Sequence, residues 1–189
     1  MATMTMERDD MWAVTSRTVV YAAIGAALYG VLALFDFLLP GTTNVSVRPA
    51  FAIVTFFGFA FGPVVGFFAG LVGNAITDQL HGYGFLTYWN WSLANGLAGL
   101  IAGLAPLYVG AWMRGDISRR ALAGAVAGIV GSVIGFLMAF SDIFVGGLTF
   151  GQVLSTEYIP VVIADVIAAG ILTPVLIYAW EPLKEQLGR

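Results

Sequence analysis

Residues 46–78 read SVRPAFAIVTFFGFAFGPVVGFFAGLVGNAITD. One ordinary membrane crossing needs about 20 apolar residues, and the run from Pro49 to Leu80 holds roughly thirty. Gly62-Pro63 breaks it with a tight-turn signal. The stretch is therefore expected to form two short apolar helices, at 49–61 and 63–80. Pro49 suits a helix start, where its missing N–H costs nothing.

Working outward, 18–39 reads as another apolar segment, with Asp36 its only charge and Pro40-Gly41 at its end. A polar loop, GTTNVSV (41–47), leads to Arg48. Beyond Leu80 comes a Gly- and aromatic-rich loop, HGYGFLT (81–87), then apolar segments at 88–113 and 121–145 joined by the charged RGDISRR (114–120). Gly146-Gly147 opens a loop through Ser155, and a last segment runs from Thr156 to Trp180 before Glu181-Pro182. The expected fold is an all-α integral membrane protein, six transmembrane helices in one compact bundle. The expected division is an N-terminal cytosolic tail at 1–17, a membrane domain at 18–181 and a C-terminal cytosolic tail at 182–189.

Composition agrees. Of 189 residues 59% are hydrophobic and 10% charged, and mean hydropathy is +0.90. Soluble domains carry about 25% charged residues, so lipid must replace the missing polar surface. Six helices with short loops use nearly the whole chain and leave no room for a soluble catalytic domain. The absence of cysteine excludes disulfides, thiolate metal sites and cysteine nucleophiles. No basic patch suggests nucleic acid as a partner. The first sixteen residues lack a signal-peptide core and read as a short cytosolic tail. With both termini in the cytoplasm, the inner side holds Arg8, Arg17, Arg114, Arg119, Arg120, Lys184 and Arg189, and the outer side only Arg48. That matches the positive-inside rule for a multi-pass plasma (inner) membrane protein.

Small residues four apart recur at Gly62, Gly66 and Gly70, at Gly99 and Gly103, at Gly124 and Gly128, and at Gly131 and Gly135. Such stripes let helices approach closely; packing inside one bundle is the ordinary reading. Segment one carries Ala22/Ala26 and Ala23/Ala27 on adjacent faces, so one stripe can pack internally and the other face a partner subunit.

Polar groups inside spans are costly and usually face a protein interior or a water-filled cavity. On the six-span model Asp36, Arg48, Asn74, Asp78, Asn90, Asn95, Ser141, Asp142, Glu157 and Asp165 gather toward the outer side. Asn74 and Asp78 share a helix face one turn apart. Around them stand Tyr83, Phe85, Tyr88, Trp89, Trp91, Phe144, Phe150 and Tyr158. Few polar groups in an aromatic pocket suit a flat, partly polar small molecule; an interfacial aromatic belt explains single aromatics equally well. Candidate substrate-binding residues are Arg48, Asn74, Asp78, Trp89, Trp91, Asn95, Asp142, Tyr158 and Asp165. Arg48 either pairs with Asp36 or Asp78 or meets an anionic ligand group. His81 has no second histidine or cysteine to complete a transition-metal site. No nucleophile elbow, Walker sequence or HExxH occurs, so no catalytic residue, metal or cofactor is expected.

Three stretches carry a family likeness: YAAIGAALYGVL (21–32), SVRPAFAIVTFFGFAFGPVVGFFAGLVGNAITD, and WNWSLANGLAGLIAGL (89–104). Together they resemble the substrate-binding S component of energy-coupling factor (ECF) ABC transporters, in the riboflavin- and cobalamin-uptake group. Residues 105–189 match only in layout. The resemblance implies a six-helix, non-enzymatic vitamin-uptake subunit whose outward-side pocket binds riboflavin, cobalamin or a related compound. In such a pocket Asn95, Trp89, Trp91 and Asp165 supply stacking and hydrogen bonds, with Arg48 near the entrance and the first outer loop as a lid. It implies docking of first-helix alanines, here Ala22, Ala23, Ala26 and Ala27, on a transmembrane coupling subunit driven by two cytosolic ATPases. It also implies toppling of the whole subunit to carry its ligand inward. The main alternative is a self-sufficient channel or secondary transporter, against which stand the absence of an internal repeat and the off-centre ionisable residues. A membrane enzyme using Asp78 and His81, or a purely structural subunit, explains less.

Overall fold

The computed structural model describes residues 12–42 and 45–186. Residues 1–11, 43–44 and 187–189, which include parts of both expected tails and of the first outer loop together with Arg8 and Arg189, lie outside the described residues.

Helix α1 spans Ser16–Leu32. It opens on a capping box: the Thr15 side chain accepts from the Thr18 N–H at 3.2 Å, and Thr18 Oγ1 accepts from the Thr15 N–H at 3.3 Å, satisfying donors the helix leaves open. The helix stops well before the expected 39. The chain turns at Ala33, and Phe37–Leu38 (β1) pairs antiparallel with Ser46–Val47 (β2), with Phe37 opposite Val47 and Leu38 opposite Ser46. Pro40 cannot extend a helix, and an Asp36–Arg48 ion pair at 3.8 Å ties the two arms. A small hairpin thus interrupts the otherwise helical chain.

Helix α2 is Phe51–Phe61, α3 Pro63–Leu80 and α4 Trp89–Val109. Gly62, at φ 104°, makes the break between α2 and α3 in a backbone region that suits glycine. Helix α2 is apolar all round and largely buried, as such a helix must be. At 11 residues it rises about 16 Å, short of a hydrocarbon core of about 30 Å.

Helix α5 spans Ile117–Gly135 and begins four residues earlier than expected. Asp116 Oδ1 accepts from the N–H groups of Ser118 (2.8 Å) and Arg119 (3.2 Å) and starts it inside RGDISRR. A 3₁₀ stretch, Phe136–Ser141, and a short helix α6, Asp142–Val145, continue the rod. After a turn, Thr149 and Gln152 form a second capping box for α7, Phe150–Val153. A π-helical turn, Leu154–Tyr158, then leads into α8, Ile159–Gln186. The last helix therefore starts before Thr156 and continues through Pro174 and past Pro182. Glu181 holds this end by pairing with Arg120 and, at 3.9 Å, with Lys184.

The chain is mostly helical. Among the described residues three stretches, Trp89–Val109, Ile117–Val145 and Phe150–Lys184, are long and apolar enough to cross a membrane, and Ser16–Leu32 and Phe51–Phe61 are shorter apolar helices.

The two ends of the bundle differ. At the end holding the start of α1 and the ends of α2 and α8, Tyr21 stacks on Phe61 at 4.3 Å and Trp180 meets Phe61 edge-on at 5.2 Å. These rings pack against Phe56, Phe57, Phe59, Met113 and Ile177 and fill that end with apolar side chains. Toward the opposite end, Tyr29, Phe51, Val54, Ala94, Ala98, Phe136 and Val161 pack together, and Tyr29, Phe136 and Val161 line a polar cavity.

The glycine stripes pack within the bundle. A Cβ on Gly66 would collide with the carbonyl oxygen of Gly99, and one on Gly99 with that of Gly66. Contacts of this kind seat α3 on α4, and Gly131 and Gly135 meet Ala98 of α4 in the same way. On α1, Gly25, Ala26, Tyr29 and Gly30 are buried, while Ala23 and Ala27 are exposed and Ala22 is half-buried. Ala26 is 4% exposed, and with Ala22 and Ala23 it lines an apolar groove between α1 and α3 that Val64, Phe68 and Val72 complete.

Candidate functional site

Each wall of the cavity comes from a place where a helix begins or ends. The segment leading into α2 brings Arg48, the last turns of α3 bring Asn74 and Asp78, and the first turns of α4 bring Asn90, Trp91 and Asn95. The α5 rod adds Phe136 and Asp142, and the start of the last helix adds Glu157, Val161 and Asp165. Tyr29 of α1 and Val45 and Ser46 beside the hairpin close it, with Tyr83 and Tyr88 from the α3–α4 loop. The cavity is open on one side and has a volume of about 370 Å³.

A hydrogen-bond network fixes one side. Arg48 Nη1 donates to Asn74 Oδ1 at 2.7 Å. Asn74 Nδ2 donates to Asp78 Oδ2 at 3.0 Å and to Ser92 Oγ at 3.1 Å. Asn95 Nδ2 donates to the Trp91 carbonyl at 2.9 Å, and Asn95 Oδ1 accepts from Tyr29 Oη at 2.8 Å. Asn74, Asn90, Asn95 and Asp78 are all under 5% exposed, so each needs these partners. Arg48 Nε lies 3.8 Å from Asp36 Oδ2 and has no hydrogen-bond partner, and Arg48 is linked to Asp78 through Asn74. His81 Nε2 faces the same Asp36 carboxylate at 3.8 Å.

A second network fixes the aromatic wall. Asp142 Oδ1 accepts from Asn90 Nδ2 at 2.7 Å, and its Oδ2 accepts from Trp91 Nε1 at 2.8 Å. Asn90 also donates to Ser141 Oγ at 2.9 Å. The carboxylate locks the indole, which lies 6.1 Å from the Phe136 ring, so Trp91 presents a fixed aromatic surface.

The far wall is different. Glu157 and Asp165 are each 3% exposed. Buried Glu157 Oε2 and Asp165 Oδ2 have no hydrogen-bond partner. With Val161 between them they follow the four-residue spacing of one helix face, and all three line the cavity. The π-helical turn carrying Glu157 is a feature often found at functional sites.

Of the expected binding residues, Arg48, Asn74, Asp78, Trp91, Asn95, Asp142 and Asp165 share this cavity, and Trp89 and Tyr158 do not line it. Trp89, 45% exposed, points away because it is two positions from Trp91, about 200° round the helix. Tyr158 donates to the Val133 carbonyl at 2.8 Å and packs its ring on Phe140 at 5.4 Å. Tyr29 and Ser92 were not anticipated. Tyr29, one of two tyrosines in the alanine-rich α1, could have been found as a hydroxyl within a span; nothing in the sequence marks Ser92. Among the described residues no group of three or more His, Cys, Asp or Glu side chains is arranged to hold a metal ion.

Comparison with known proteins adds three findings. The family described as "ECF-type riboflavin transporter, S component" matches residues 13–182. A UPF0397 protein of Vibrio atlanticus (strain LGP32) is 41% identical over 93 residues, which is 49% of this chain and 50% of that relative; the chain spans about half the length of the curated relative it matches. No solved structure matches.

Proposed function

The chain belongs to the S-component family of ECF-type riboflavin transporters, a family of transport subunits and not of enzymes, and from that premise we propose that it captures a compact, flat vitamin at the outer face of the membrane. The observation that carries this reading is the convergence of Arg48, Asn74, Asp78, Asn95, Asp142 and Asp165 with Trp91 and Phe136 on one cavity. Pre-formed polar networks on an aromatic frame hold a ligand at low ordering cost.

Size favours one branch of the expected ligands. Small-molecule pockets run from about 300 to 1,000 Å³, and 370 Å³ is near the lower bound. Riboflavin or a related single-ring-system compound suits that volume; the cobalamin macrocycle, several-fold larger, does not.

In this reading the bundle sits with six helices in the bilayer, α2 as a short one, both termini cytoplasmic and the cavity outward. That orientation puts Arg114, Arg119, Arg120 and Lys184 inside. A transmembrane coupling subunit docks on the exposed Ala23/Ala27 face of α1, and two cytosolic ATPases supply the energy.

Purified protein should bind riboflavin or a related flat vitamin at micromolar or tighter concentration, read by isothermal titration or by mass spectrometry of co-purified ligand. Transport into liposomes should require the coupling and ATPase subunits. Uptake by the chain alone would instead favour a secondary transporter, and a folded protein that binds no such vitamin ends the proposal.

A further inference from the structure

The cavity is lined by more acidic than basic side chains, and two of the acidic ones share one wall. Its lining holds four carboxyl groups, Asp78, Asp142, Glu157 and Asp165, and one guanidinium, Arg48. Arg48 is already paired with Asp36, which lies outside the lining. Asp142 is engaged by Asn90 and Trp91 and Asp78 by Asn74. Glu157 and Asp165 are left, each with a buried carboxyl oxygen that has no hydrogen-bond partner.

Buried carboxyls persist only when something satisfies them. A metal ion would need further ligands, and no three-residue cluster among the described residues supplies them. A ligand bearing positive charge answers this need, placing its cation against Glu157 or Asp165 while its ring lies against Trp91 and Phe136.

Building on the vitamin-capture reading, we propose that Glu157 and Asp165 form a cation-recognising wall, so that the preferred ligand is a flat heteroaromatic molecule carrying a fixed or protonated nitrogen.

The test uses the full chain in detergent, and three probes measured by isothermal titration. These are thiamine, whose ring nitrogen is permanently charged; its neutral deaza analogue, in which carbon replaces that nitrogen; and riboflavin, which is neutral. Thiamine should bind about 10- to 100-fold tighter than its deaza analogue, as expected for a hydrogen-bonded charge pair. The double variant Glu157→Gln/Asp165→Asn should erase that difference. Because each carboxyl leaves a buried oxygen without a hydrogen-bond partner, the ligand-free variant should melt no lower than the parent, which separates this role from a structural one. Equal affinity for thiamine and its analogue, or a preference unchanged in the variant, overturns the cation wall. If riboflavin still binds in that case, vitamin capture stands without it; if folded protein binds none of the three, both readings fall.

Discussion

Arg48 and Asn74 meet through a 2.7 Å hydrogen bond between a loop cation and a helix amide 26 residues apart. That one contact ties the hairpin region to α3, and Asn74 passes it on to Asp78, Ser92 and, more weakly at 3.4 Å, Asn95. Asn74 is 1% exposed, so water cannot replace what it gives. The Asn74→Ala variant should lose about 1–3 kcal/mol from unsatisfied buried partners and should lose ligand binding. In a double-mutant cycle with Arg48→Ala, the two losses should be non-additive by about 0.5–3 kcal/mol. Thermal melting in detergent reads both; strict additivity would mean that the contact carries no energy.

Asp142 offers a narrower test, because it touches the proposed ligand wall through Trp91. Asp142→Asn keeps the size but replaces one acceptor oxygen with an NH2 that must face a donor, either Asn90 Nδ2 or Trp91 Nε1. The indole should lose its fixed orientation. Affinity should fall about tenfold or more, in line with a lost charge-assisted bond, and tryptophan fluorescence should shift in the ligand-free protein. Unchanged affinity would show that Trp91 orientation does not matter.

Two glycines predict opposite outcomes. At Gly66 an added methyl runs into the Gly99 backbone, which cannot swing aside as a side chain does. Gly66→Ala should cost about 1–3 kcal/mol through overpacking, with a lowered melting temperature and reduced yield. At Gly151, within α7, nothing lies within 4 Å of the added methyl. Gly151→Ala should be neutral or gain up to about 1 kcal/mol from helix propensity.

The chain has no cysteine, so single introduced cysteines report sidedness directly. Phe144→Cys, at a position 88% exposed beside the cavity end, should react with a membrane-impermeant maleimide in intact cells. Arg114→Cys, exposed at the opposite end, should react only after permeabilisation. The reverse pattern would invert the proposed topology.

Much of this arrangement was legible in the sequence, and the exceptions have physical causes. The Gly62-Pro63 break was readable because glycine and proline act locally, and the clustering of Asn74, Asp78, Asn95 and Asp165 followed from helix spacing and from the cost of polar groups in lipid. The early stop of α1 at Leu32 was not, because apolar composition continues to Leu39 and only the pairing of residues 37–38 with 46–47 ends the helix. The starts of α5 and α7 were set by side-chain caps at Asp116 and Thr149, which polar loop composition disguises. Trp89 and Trp91 look alike in sequence; which of them faces the cavity depends on helix phase, and Asp142 fixes the answer from 51 residues away.

The alanines of α1 separate packing from docking. Ala26 is buried within the bundle, and the added Cβ of Gly73 would press on its carbonyl oxygen. Ala23 and Ala27 lie on the exposed side of the same helix, one turn apart. Ala26→Leu should therefore overfill the α1–α3 contact, destabilise the protein by about 1–3 kcal/mol and reduce ligand binding and transport together. Ala23→Leu/Ala27→Leu alters exposed positions only, so melting temperature and ligand affinity should stay at parental values. If α1 docks through this face, two leucines there prevent the close approach that small residues permit. Uptake in cells supplied with coupling and ATPase subunits should then drop strongly, and the subunits should no longer co-purify. Full uptake by the double variant would move the docking surface elsewhere on the bundle.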